Sequence, residues 1–353
     1  MTLAREGQAA VRLDDGRVLI VGGTVPFTGK CEMVCANPAT ASVEIYDPRT
    51  RKFSPNGSLA EPRSGGEALL LNDGRVLVSG GWSEYGDPDT IEIYDPAHGT
   101  SVVVKPPANI AQLPIDPTVV LLGDGKVLIA GGSYDEDNTT AKATLIYDPA
   151  SGKYSDGPHM AQPRQGAMAT LLDDGRVLIV GGDYYYEGNW GYANNNAELI
   201  DPSHALSQST LLESQGYPAT PTLLSDGRVL VGEVDPYYSG AGCMTPAVSE
   251  ILDPRTEKLT PVASMSTPRS GSAAIKMQDG RVLFLGGVGS SCAALGTVEA
   301  FDPDSGTFQV VATGFPKIAD FSATLLDDGE ILIAGGGSDN AWNMTAASWR
   351  LKP

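Results

Sequence analysis

No apolar stretch in this sequence outlasts a β-strand, so nothing in it reads as a membrane-spanning helix. Positive charge is scarce: 24 Lys and Arg stand against 43 Asp and Glu, a formal charge of −19. Proteins bind phosphate backbones by neutralising them with Lys and Arg, so this balance excludes nucleic acid as a partner. Histidine is scarcer still, with three in 353 residues, which restricts imidazole-based metal chemistry. There is no Gly-x-Ser-x-Gly elbow, no phosphate-binding loop and no dinucleotide fingerprint in its strand-to-helix context. Residues 1–13 lack the charged and apolar regions of a signal peptide.

What is abundant is punctuation. The 42 glycines and 25 prolines fall at fixed places in a repeat of about fifty residues, which argues for many short strands and turns. Seven Asp-Gly pairs begin at Asp15, Asp73, Asp124, Asp174, Asp226, Asp279 and Asp328, each leading into a run such as Arg-Val-Leu-Ile-Val-Gly-Gly. Six are followed by a strand ending in Asp-Pro, at Asp47, Asp95, Asp148, Asp201, Asp253 and Asp302. One repeat thus runs through the chain, and residues 1–353 are expected to form a single domain. Met1 stands four residues before Arg5, as Leu59 does before Arg63 and Met160 before Arg164, a position already inside the repeat. The expectation is that residues before Met1 are missing, including a strand and an export signal.

Each unit opens with an alternating strand A such as Glu67-Ala68-Leu69-Leu70, turns at Asp-Gly and returns as strand B. Asp-Gly between apolar runs is the signature of a two-residue hairpin. A variable loop leads to strand C, such as Ile91-Glu92-Ile93-Tyr94, and the Asp-Pro turn leads to a short strand D. Four antiparallel strands repeated seven times predict an all-β, seven-bladed propeller whose last blade has three strands, because no strand D follows unit 7.

The residues Pro62-Arg63-Ser64-Gly65, the Gly80-Gly81 doublet and Ile91-Glu92-Ile93-Tyr94-Asp95-Pro96 resemble the kelch motif, in order. The chain is similar over nearly its whole length to bacterial kelch propellers and to the central domain of galactose oxidase. That resemblance implies a propeller with strand A lining its channel, and a strand from the other terminus closing the last blade. It also raises a copper radical site, which needs two histidines, a tyrosine ligand and a tyrosine joined to cysteine. His98 and His204 follow Asp-Pro turns and His159 stands alone, so the sequence reads against that site.

An arginine precedes the turn Asp by ten residues in four units, and a glutamate precedes the strand-C Asp by three. These predict structural pairs of Arg5 with Glu44, Arg63 with Glu92, Arg164 with Glu198 and Arg269 with Glu299, since buried charges are paired. Anion binding by the arginines is the alternative.

The B-to-C loops hold eight of the thirteen tyrosines and three of the four tryptophans. Loops on a rigid scaffold carry function. Trp82, Tyr85, Tyr134, Asp135, Tyr185, Trp190, Tyr217, Asp235, Tyr238 and Trp342 form the candidate ligand-binding set, in which aromatic faces and carboxylates suit a glycan, a cationic peptide or a polar small molecule. Asp116 and Asp320 stand where other units have Gly7, Gly65, Gly166 and Gly271, and Glu233 replaces a doublet glycine, so these three are the catalytic candidates. Two readings follow: a binding propeller, or a cofactor-independent lyase, hydrolase or cyclase using channel-mouth carboxylates. Neither needs a cofactor; nothing in the sequence supports calcium, although the acidic loops leave room for it. Cys31 is expected to pair with Cys35 and Cys243 with Cys292, implying an extracytoplasmic or secreted protein, and the chain is expected to be a monomer.

Overall fold

The computed structural model describes residues 1–28, 37–86, 88, 90–106, 113–134, 139–186, 189–194, 196–204, 210–213, 218–233, 249–269, 271–338 and 343–353. They form seven antiparallel sheets in a ring, a β-propeller, with the last sheet three-stranded. Blade 1 shows the plan: strand A, Ala9–Arg12; strand B, Val18–Val21; strand C, Ser42–Asp47; strand D, Lys52–Ser58. Blades 2 to 6 repeat it in order. Blade 7 has Ser322–Leu325, Ile331–Ala334 and Ser348–Leu351.

Successive A strands touch around the whole circle, and the A strand of blade 7 meets that of blade 1. They therefore line an axial channel. Strand B lies one layer out with both faces covered by neighbouring blades, which is why it reads as an unbroken apolar run; Val18–Val21, Val127–Ala130 and Ile331–Ala334 are buried at every position. The core is thus a series of clusters between adjacent sheets, such as Leu71, Leu77 and Ile93 of blade 2 against Val119, Ile129 and Tyr147 of blade 3. No helix is long and apolar enough to cross a membrane among the described residues.

The hairpins differ from the expectation. The Leu71 N–H donates to Arg75 O at 2.8 Å and the Gly74 N–H to Leu71 O at 3.0 Å, so three residues form the loop. Only the glycine has positive φ, +82° at Gly74. Asp73 keeps an ordinary φ because its carboxylate accepts the Arg75 N–H two residues on, at 3.1 Å. That is a type I turn closed by a left-handed glycine, the usual three-residue solution.

The arginine–glutamate positions form one buried module in four blades. Arg5 meets Glu44 at 2.9 Å, Arg63 meets Glu92 at 3.0 Å, Arg164 meets Glu198 at 2.9 Å and Arg269 meets Glu299 at 2.6 Å. Each guanidinium also donates to the first carbonyl of the Gly-Gly doublet, as Arg63 Nη1 does to Gly80 O at 2.9 Å. Each carboxylate accepts backbone N–H groups from the connection entering the blade, as Glu92 does from Ala60 at 2.7 Å and Glu61 at 3.1 Å. The module ties the D-to-A connection to strands B and C. Blades 3 and 7 replace it with apolar residues: Leu145 and Trp349 occupy the glutamate's register, opposite Ile129 and Ile333.

Candidate functional site

Strand A begins at the same end of the ring as the B-to-C loops. Just before it, every described blade that can be compared has one residue in the left-handed region: Gly7 at +62°, Gly65 at +76°, Asp116 at +53°, Gly166 at +63°, Gly271 at +60° and Asp320 at +54°. This conformation is required because these residues link blade to blade. The Gly7 N–H donates to Asp320 O at 2.9 Å, Gly65 to Gly7 O at 2.8 Å, Gly166 to Asp116 O at 3.3 Å and Asp320 to Gly271 O at 3.4 Å. These links belt the channel mouth across blades 6, 7, 1 and 2 and across blades 3 and 4. Glycine suits the position; aspartate tolerates it at a cost of about 1 kcal/mol or more, and such strain collects at functional sites.

Two glutamates complete the wall. Glu6 precedes the belt in blade 1, beside Asp320 of blade 7, and its carboxylate lies against Gly337, where an added Cβ would stand 2.3 Å from Oε2. Glu67 lies in strand A of blade 2, beside Asp116 of blade 3. Asp116 itself rests on the Gly80-Gly81 doublet, where it accepts the Gly81 N–H at 3.4 Å and a Cβ on Gly80 would stand 3.0 Å from Oδ1. The four acids occupy blades 7, 1, 2 and 3, one continuous arc of the mouth. Asp116 and Asp320 fall in two of the three blades that lack the buried arginine, so that module offers no guanidinium of their own blade to offset their charge.

The arc changes the protonation of its members. Glu67 is half-buried; desolvation, with the Asp116 carboxylate beside it, raises its pKa to about 7. Hydrogen bonds from the Val119 N–H at 3.1 Å and the Thr118 hydroxyl at 3.5 Å pull the other way and do not offset the rise. Asp320 is raised by desolvation, and Glu6 by desolvation and then by Asp320. A carboxyl that is part protonated at neutral pH can accept a proton from a substrate or return one.

The sequence candidates divide. Asp116 and Asp320 stand at the start of strand A, at the channel mouth. Glu6 and Glu67 were missed: a single glutamate in an alternating strand looks like a solvated position. The available signal was that Glu67 is acidic where Ala9, Thr118 and Met168 occupy the matching place in their strands. Glu233 ends strand B of blade 5, opposite Pro218, and its side chain lies outside the described set. Trp82 pairs by a backbone bridge with Ser64 and is half-exposed, and Tyr85 lies in a turn, 84% exposed. Tyr134 belongs to a short ribbon, Ser133–Tyr134 with Thr139–Thr140, and Tyr185 and Trp190 to another, Asp183–Tyr186 with Asn189–Ala193; their side chains are outside the described set. Asp135, Tyr217, Asp235, Tyr238 and Trp342 lie outside the described residues, as do Cys31, Cys35 and Cys243. Cys292 is disulfide-bonded.

All three histidines are described and all three are exposed. His98 Nδ1 meets Asp95 at 2.6 Å and His204 Nδ1 meets Asp201 at 2.8 Å, both in C-to-D turns at the far end of the ring from the acids. No group of three or more His, Cys, Asp and Glu with metal-binding geometry occurs among the described residues.

No family model matches the chain, and no curated protein matches it. Among solved structures it is similar to a fungal alcohol oxidase of the AA5 family in complex with copper, at 17% identity and a TM-score of 0.72, over 99% of this chain and 74% of that one. At that identity the likeness shows the fold. It nevertheless corrects two expectations. Against the expectations of a ligand-binding propeller, or of a cofactor-independent lyase, hydrolase or cyclase, and of a protein that needs no cofactor, the protein that this fold matches is itself an alcohol oxidase in complex with copper. The described residues do not fit a copper centre built on two imidazoles, because no two histidines share a site.

Proposed function

We propose that this chain is an oxidase-type enzyme that acts on a hydroxyl-bearing substrate at the channel mouth. The observation that carries the reading is the acid arc, placed on a scaffold that matches an alcohol oxidase over 99% of its length. Oxidising an alcohol to a carbonyl compound removes two protons and two electrons; dioxygen, as the acceptor in an oxidase, takes both and becomes hydrogen peroxide. In this reading the Glu67 carboxylate accepts the hydroxyl proton and passes it to solvent along the channel. Asp116 keeps Glu67 basic enough for that transfer, and Glu6 with Asp320 orients further hydroxyl groups of the substrate. Because the described residues do not fit a copper centre, no step is routed through copper, and what is assigned to this chain is the proton transfer and the positioning of hydroxyl groups. An extracytoplasmic location belongs to the same proposal, supported by the disulfide at Cys292.

The test is oxygen uptake and peroxide release over a panel of primary alcohols, polyols and sugars, with copper-loaded and metal-stripped protein. The expected result is turnover of at least one hydroxyl substrate, reduced roughly a hundredfold in Glu67→Gln, as befits loss of a general base. The absence of oxygen uptake from copper-loaded wild-type protein over the whole panel would overturn the proposal.

A further inference from the structure

In six blades the first residue of strand A faces the last of strand B, which sets it at one depth in the channel: Ala9 faces Val21, Glu67 faces Ser79, Thr118 faces Ala130, Met168 faces Val180, Ala273 faces Leu285 and Ser322 faces Ala334. Five of these side chains are small or polar. Met168 is long and apolar, and yet it is 45% exposed. Its strand has the A strands of blades 3 and 5 on either side, so water reaches it from the channel. Among the described residues it is the one exposed methionine: Met160, Met265 and Met277 are 3%, 5% and 8% exposed, and Met1 and Met344 are half-buried. Met33 and Met244 lie outside the described residues.

The acid arc reaches this part of the wall. Glu67 stands at the same depth in blade 2, and Asp116 of blade 3 extends toward blade 4, where a Cβ on Gly166 would be 3.5 Å from its Oδ2. The Gly166 N–H, two residues before Met168, also donates to Asp116 O at 3.3 Å. Alanine, serine, threonine and carboxylate groups are inert to hydrogen peroxide, whereas a thioether that solvent can reach is oxidised by it. Peroxide formed at the mouth therefore meets its one reactive described side chain at Met168.

We propose that Met168 is an oxidative modification site, at which the peroxide that the enzyme releases converts the thioether to methionine sulfoxide and slows further turnover; the slowing rests on the oxidase reading. The sulfur lone pair attacks one peroxide oxygen, the O–O bond breaks, and the departing oxygen takes the proton of the first and leaves as water. Sulfur gives up an electron pair and peroxide accepts it, so no other oxidant or reductant is needed. The sulfoxide is polar, and its oxygen adds the negative end of a dipole to a wall that already carries carboxylates. It therefore opposes ionisation of the arc, which hinders a carboxylate acting as a base. Sulfoxide reductases restore the thioether, so the brake is reversible.

The experiment treats the full chain with hydrogen peroxide and follows each methionine by peptide mass spectrometry. Met168 is expected to gain oxygen about six- to fifteenfold faster than Met160, Met265 and Met277, the ratio of its exposure to theirs. A second arm turns over a substrate of the panel in air with no added peroxide. The rate is expected to fall as sulfoxide accumulates at Met168, catalase to prevent both changes, and a sulfoxide reductase to restore the rate. Met168→Leu, apolar and close in volume, is expected to hold its initial rate under the same treatment. Oxidation of Met168 no faster than that of the buried methionines would overturn the site, whatever the activity. Sulfoxide at Met168 without loss of rate, or an equal loss in Met168→Leu, would overturn the brake. Absence of peroxide release from every substrate would overturn the brake together with the oxidase reading, while the first arm still decides the site.

Discussion

Replacing Glu67 by Gln separates the acid's effect on folding from its effect on chemistry, and the sign of the folding effect follows from the direction of its pKa. The carboxyl titrates near 4.5 when unfolded and near 7 in the folded chain. A raised folded value means that the folded state holds the proton more tightly, so the associated stability is complete below pH 4.5 and is lost as pH rises through 7. At about 1.4 kcal/mol per unit, the loss is about 3 kcal/mol between pH 4 and pH 8. Glutamine is uncharged throughout and can still accept the Val119 N–H, so the variant does not suffer it. Other carboxylates work in the opposite sense: Asp73 is held low, chiefly by the hydrogen bond from Arg75, and its contribution is lost as pH falls. Those terms cancel when wild type and variant are compared at each pH. Urea unfolding at pH 4 and pH 8 is therefore expected to show similar stabilities at the lower pH and a variant more stable by about 2 to 3 kcal/mol at the higher. A difference between the two proteins that stays constant with pH, within about 0.5 kcal/mol, would refute the desolvation of Glu67 beside a second carboxylate.

Further outcomes follow from the same geometry. Glu198→Leu leaves Arg164 buried without its partner and is expected to cost about 3–5 kcal/mol, while the double variant Arg164→Ile with Glu198→Leu recovers much of that, because blades 3 and 7 already fill these positions with apolar side chains; a double-mutant cycle by urea unfolding measures the coupling. Asp320→Gly relieves a left-handed residue and a like-charge neighbour and is expected to stabilise the chain by about 1 kcal/mol while lowering turnover, read by thermal unfolding and peroxide release on the same sample. Asp320→Val keeps the backbone demand without the tolerance of aspartate and is expected to destabilise by about 1–2 kcal/mol.

The ring was legible because each blade repeats the same local instructions. Asp-Gly turns, apolar B strands and Asp-Pro turns recur often enough that register and strand number follow from spacing alone. The buried arginine and glutamate were legible for a related reason: they are present together or absent together in six units of seven, unit 5 alone keeping Glu250 with Gly216 at the arginine position. Asp116 and Asp320 stood out because a position that glycine fills in four other units had changed to an acid. Glu6 and Glu67 were hidden because their significance is not local. Each becomes unusual only when the neighbouring blade brings a carboxylate beside it, and sequence spacing across blades does not show which side chains meet. The hairpin loop length was misjudged because the Asp side chain, not a second left-handed residue, closes the turn. Activity was the least legible part, since the oxidase likeness rests on three-dimensional similarity at 17% identity.

The pH–rate profile of substrate oxidation, measured side by side for wild type and Glu67→Gln, tests most directly whether the acid arc is the reaction centre. A wild-type limb with an apparent pKa about 7, absent from the residual activity of the variant, is the result expected of a proton acceptor at Glu67. A variant that turns over at the wild-type rate with the same pH profile would place the chemistry elsewhere on the ring.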